Sequence, residues 1–264
     1  MKPLFPTYIL KRHAKAAMRG RFFKAFVAAV APMLCVTLCT ILVMAFVPEA
    51  KASFDLVING KFDSYDARSV YFDTLMNISS SAMSLFFVIF AFISVGAQKL
   101  LLDLLRGKEV KIKNILCFYD KWYIAAIYPA LSAALTFLLT NLLDGLIASG
   151  ANADFVVMLS WVFQIIIYFL AAKFMFVDII LADTECKNVI HAMKASWKMV
   201  GWNTVINVVI LSISFIGWIF LSAFTMGLTL IYLLPYMSLS VAALYEANRK
   251  FTEKTVQDEE ISND

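Results

Sequence analysis

Strongly polar side chains are scarce in this 264-residue chain, so those inside long apolar runs mark where chemistry could be done. Lys173 and Asp178 lie near the end of an apolar stretch at 155–181, with Gln164 earlier in it. Charge at membrane depth is costly and is usually kept for a purpose. Five residues of helix put Lys173 and Asp178 about 140° apart, so they do not face one another directly. Two roles are open to Lys173. Its stem can carry the ammonium outward to headgroups, or the charge can be paired inside a helix bundle, beside a polar site shared with Gln164. Asn203 and Asn207, four apart, form one polar edge suited to hydrogen bonds between helices. Pro235 removes a backbone donor within an apolar helix and is expected to kink it, and such breaks can mark ligand sites in transporters. With Glu246 these residues make a candidate ligand site of Gln164, Lys173, Asp178, Asn207, Pro235 and Glu246.

Catalytic patterns are missing. There is no HExxH, no GxSxG, no P-loop and no Asp-rich run of the kind that holds a metal on a phospholipid transferase. His13 and His191 are the only histidines, each beside lysines, as on a solvated or headgroup-facing surface. Asp178, Asp183 and His191 are the one acid–base set that a lipid-modifying enzyme could use here, and no motif asks for it. Cys35 and Cys39 sit in the first apolar run, Cys117 and Cys186 in basic loops, with neither CxxC nor zinc-ligand spacing. No catalytic residue, metal or cofactor is assigned, and no nucleic-acid partner is expected.

The elements that must position these residues follow from composition. The chain is 61% hydrophobic and 16% charged, whereas soluble domains have about a quarter of their residues charged. A soluble domain of this length could not bury so much apolar surface. Residues 203–245 carry no charged side chain at all. Since about 20 apolar residues cross a bilayer, this run can cross, turn and cross back. Similar runs give six spans at about 25–47, 75–98, 122–147, 155–181, 203–221 and 224–246. The first is too long for the apolar core of a signal peptide, about 7–15 residues, although Ala50-Lys51-Ala52 imitates a cleavage site.

Two segments outside the spans are amphipathic. Residues 1–24 hold seven Lys or Arg and no acid, with Leu10, Ala14, Ala17 and Met18 on one face and Lys11, Lys15 and Arg19 on another. In residues 183–202, Val189, Ile190, Met193, Ser196, Trp197 and Val200 oppose Lys187, His191, Lys194 and Lys198. Both are expected to lie against anionic headgroups. Loop 48–74 is the only polar loop large enough for a small extracytoplasmic element, and the polar tail 248–264 is expected to be disordered. Placing the N-terminus in the cytoplasm puts twenty Lys or Arg inside and leaves only Lys51, Lys61 and Arg68 outside. The reading is an all-α polytopic protein of a bacterial plasma membrane. Its six transmembrane helices form three hairpins with interfacial lead-in helices, and both ends are cytoplasmic. A faint echo of KAAMRGRFF at 15–23 in KASWKMVGW at 194–202 fits such a repeat weakly.

From Asp183 onward the residues resemble a family of uncharacterised bacterial integral-membrane proteins, common in Firmicutes and catalogued as domain of unknown function nine hundred and seventy-five. The resemblance is carried by Asp183, Ser196, Gly201, Phe215-Ile216-Gly217-Trp218, Gly227, Pro235-Tyr236 and Tyr245. It covers roughly 182–246, and the first half is similar in topology and in its basic leading helix. It implies a six-helix membrane protein of unknown activity, distantly similar to the membrane domains of some glycerophosphodiester phosphodiesterases, and it brings no catalytic residues.

Three functions are compatible with these residues. The first is a non-enzymatic accessory, scaffold or regulatory membrane protein, touching anionic lipid and either a partner membrane protein or a second copy of itself. The second is a small transporter or lipid-handling protein with its site between spans four, five and six. The third is a lipid-modifying enzyme using Asp178, Asp183 and His191.

Overall fold

A computed structural model of the protein describes residues 5–46, 88–150, 152–184 and 188–263, and all regular structure among them is helical. In chain order the helices are α1 (Thr7–Met18), α2 (Phe22–Phe46), α3 (Ala91–Leu105), α4 (Trp122–Ala148) and α5 (Ala153–Phe174). They continue as α6 (Val177–Thr184), α7 (Val189–Met199), α8 (Trp202–Ile213), α9 (Ile216–Phe224) and α10 (Leu228–Asn263). Two short 3₁₀ turns, Ile112–Leu116 and Tyr119–Lys121, lead into α4.

The organising element is α3. Ten of its fifteen residues are buried, because α2, α6, α10 and the first 3₁₀ turn all pack against it. A helix so largely apolar, interrupted by Gln98, Lys99 and Asp103, belongs inside such an assembly. Gly96 is what lets the turn approach: a Cβ there would stand 1.8 Å from the Ile115 carbonyl oxygen. The short α6 is buried almost throughout, and Leu100, Leu104, Phe176, Leu181, Leu239 and Tyr245 share one core with Leu10 of α1.

Four helical stretches are long and apolar enough to cross a membrane: Ile112–Ala148, Asp154–Thr184, Trp202–Phe224 and Leu228–Glu253. The pair α1 and α2, bent by 108°, makes five if counted as one broken span. Phe137, Leu138, Trp161, Ile165, Tyr168, Phe220 and Phe224 face outward. So much exposed apolar surface is foreign to a soluble monomer and natural against lipid. The chain is a helical, multi-pass membrane protein. Loop 48–74 and the expected second span up to residue 87 lie outside the described residues.

Local details depart from the sequence pattern in physically informative ways. The second-span helix continues past Gln98 to Leu105, and α10 runs through the polar tail to Asn263 where an irregular tail was expected. Pro235 lies inside α10, so the backbone donor it lacks falls within the helix as the sequence places it. On α7 the buried stripe is Val189, Ala192, Ser196 and Met199, while Ile190 and Trp197 stay exposed. Protein therefore covers only one edge of the apolar face, leaving the other beside Lys194 and Lys198, as an interfacial helix requires. α1 buries Leu10, Ala14 and Met18 as its spacing predicts, yet Lys11 turns inward from the basic face. Its Nζ donates to the Ser214 carbonyl oxygen at 3.0 Å and lies 4.3 Å from the Phe215 ring centre.

Candidate functional site

The strongest concentration of charge is where α3, α6 and α10 converge. Arg106 follows the last turn of α3, and Asp183 stands in the last turn of α6. A cation suits a helix C-terminus and an anion does not, so Asp183 needs positive partners. Arg106 donates through Nη1 to Asp183 Oδ1 (2.5 Å) and through Nη2 to Glu246 Oε2 (2.8 Å). Arg249, one turn further along α10, reaches Asp183 Oδ2 (3.3 Å) and Glu246 Oε1 (3.2 Å). Tyr245 completes the set, its hydroxyl donating to Asp183 Oδ2 at 2.9 Å. Two guanidinium groups thus neutralise two carboxylates whose side chains are 5% and 13% exposed. The hydrogen bond to Asp183 is the main cause raising the Arg106 pKa above its ordinary value, against the opposing effect of burial.

A second polar position is Asp178, on α6. Ser94 Oγ of α3 donates to its Oδ2 at 3.1 Å, while its Oδ1 is closed off without a hydrogen-bond partner. Asp178 borders a cavity of about 360 Å³ between α3, α4 and α6, with Ser94, Tyr128, Ser132 and Thr136 on the wall.

Lys173 does not join Asp178. Two turn residues, Met175 and Phe176, stand between them, and the two side chains take different partners, as the separation of about 140° expected on a helix implies. Lys173 Nζ instead donates to the Val200 carbonyl oxygen at 2.7 Å and lies 5.1 Å from the Trp197 ring centre. Ser196 Oγ, fully buried, donates back to the Lys173 carbonyl oxygen at 2.8 Å. These reciprocal bonds clamp α7 to the end of α5. Gln164 is exposed on α5, whereas Asn207 and Pro235 are buried, with Asn207 Nδ2 lacking a hydrogen-bond partner. Of the described cavities, one takes Asp178 and another Glu246; none takes two of the six candidate ligand residues.

The remaining motif residues are packing and turn positions. Phe215 is buried and meets Tyr236 edge-on at 5.3 Å, and Trp218 lies against Tyr232 at 5.8 Å, tying α8 and α9 to α10. Gly227 takes φ +86 in the turn before α10, a conformation that favours glycine. Gly201 is the N-cap of α8, and nothing in the structure explains Gly217. Asp183 and Tyr245 belong to the charge cluster.

Sequence reasoning missed Arg106 and Arg249, leaving the first in a basic loop and the second in the tail. The signal available was the pair Asp183 and Glu246, two acids at the same end of two spans and thus in need of cations at that level. Comparison of the chain with family models, with curated proteins and with solved structures gives no match.

Proposed function

We propose that this protein is a non-catalytic accessory or scaffold subunit of a bacterial plasma membrane. It has six spans in three hairpins, both ends in the cytoplasm, and kinship with the family of unknown function that its second half resembles. One observation carries the reading. The polar groups gathered at one end of the bundle are consumed in joining helices to each other: Arg106 and Arg249 with Asp183 and Glu246, and Lys173 with Val200. Asp183, the acid that an enzyme would most need, already accepts from three side chains. Outside that joint, Arg12 and Lys15 of α1, Arg19 just after it and Lys194 of α7 are exposed, and each basic group near an anionic surface adds on the order of 1 kcal/mol of attraction.

Native mass spectrometry of the protein, gently extracted from its own membrane, tests this. A stoichiometric protein partner is the expected result, whereas a retained lipid or small molecule favours ligand handling instead. Purified protein that alone turns over a lipid or carries a solute across a vesicle wall refutes it. A second reading, ligand handling inside the membrane, is favoured by the cavity at Asp178. Its centre then lies between α3, α4 and α6 rather than among the fourth, fifth and sixth spans.

A further inference from the structure

The cavity beside Asp178 has a consistent chemical character. Ser132 Oγ donates to the Pro129 carbonyl oxygen (2.8 Å), and Thr136 Oγ1 donates to that of Ser132 (3.0 Å). Ser94 spends its proton on Asp178 Oδ2. The hydrogens of these three hydroxyls are thus directed into protein and their oxygens keep lone pairs to offer, while the Tyr128 hydroxyl, the fourth on the wall, can donate or accept. Asp178 adds a carboxylate to the wall, its Oδ2 bonded by Ser94 and its Oδ1 closed off. Among the described residues no Lys, Arg or His lines the space. Lys173, five residues before Asp178, points its Nζ to the Val200 carbonyl oxygen, and Lys99, five after Ser94, holds its Nζ over the Phe118 ring. A carboxylate withdrawn from water needs either a proton or a compensating positive charge, and a wall carrying that carboxylate beside three hydroxyl oxygens with lone pairs to offer suits a positive occupant.

We propose that this cavity is a binding site for a monovalent cation, either an inorganic ion or the ammonium group of an amine, held by Asp178 with Ser94, Ser132 and Thr136. Among the described residues no three His, Cys, Asp or Glu gather as a metal site would need, which separates this chemistry from transition-metal binding. The opening of about 360 Å³ is ample for an alkylammonium group. The site depends on α6 lying within the bilayer but not on the accessory role, so either can fail alone.

The test uses the full chain in nanodiscs of phosphatidylglycerol, a lipid without an amine, with bulky N-methylglucamine chloride holding ionic strength constant. Sodium chloride or ethylammonium chloride replaces it stepwise while the thermal unfolding midpoint is read. The expected result is a saturable rise in midpoint with at least one of the two. Sodium alone identifies an inorganic site, and ethylammonium an amine site. Asp178→Asn is expected to weaken half-saturation by at least about tenfold, since it removes the ionic contact. Ser132→Ala and Thr136→Ala are expected to weaken it several-fold, and they carry the test if the Asp178 variant does not fold. No saturable response to either cation, or half-saturation unchanged across the variants that fold, overturns the proposal.

Discussion

Breaking the pair between Arg106 and Asp183 is the perturbation whose cost the geometry defines best. Arg106 makes two charge-assisted hydrogen bonds to carboxylates that are largely withdrawn from solvent, and bonds of this kind contribute about 1.5–3 kcal/mol each. The gross loss in Arg106→Gln is therefore about 3–6 kcal/mol. Arg249 remains within reach of both carboxylates, although its own side chain is 32% exposed and its attraction correspondingly screened. Recovered hydration of the lost guanidinium offsets part of the rest. A net destabilisation of about 3 kcal/mol is expected, and a similar value for Asp183→Asn, which removes an acceptor from three partners. Because the two side chains act on each other, the double variant should fall short of the sum by about 1–2 kcal/mol. The measurement is a double-mutant cycle on the full chain in bicelles, using reversible unfolding. Strictly additive effects, with coupling below about 0.5 kcal/mol, would mean that the contact does not hold α3 to α6 and would refute the reasoning.

Tyr245→Phe keeps the ring in its buried place against Phe176 and loses only the bond to Asp183, so the same unfolding assay should register about 1–2 kcal/mol. Gly96→Ala forces a methyl group into the Ile115 backbone oxygen. Overpacking against backbone that cannot yield should cost about 3 kcal/mol, while Gly145→Ala, which meets nothing within 4 Å, should be neutral in the same measurement. Ser196→Ala removes a buried bond between α7 and α5, and hydrogen exchange should accelerate in α7 before it does in α3. For topology, reporter fusions after Glu246 should be active only as cytoplasmic reporters and insertions at 55–65 only as extracytoplasmic ones; the reverse pattern would overturn the orientation drawn from the basic residues.

Membrane residence and helical class were legible in the sequence because they are one-dimensional properties. Apolar run length is compared with bilayer thickness, and charge is counted segment by segment. The inward face of α1 was legible for the same reason, since Leu10, Ala14 and Met18 follow helical spacing alone. Tertiary structure decided everything that depends on azimuth and partner. Arg106 meets an acid 77 positions away and another 140 away, and no local pattern says which basic residue of a basic loop will do so. Helical spacing already turns Lys173 and Asp178 away from one another, but only the packed structure shows that one meets α7 and the other α3. Gly96 reads as one small residue in an apolar helix until a 3₁₀ turn is laid against it. Hydropathy assigns a residue to lipid, protein or water, whereas packing assigns it to a particular neighbour, and that requires the distances between helices far apart in the chain.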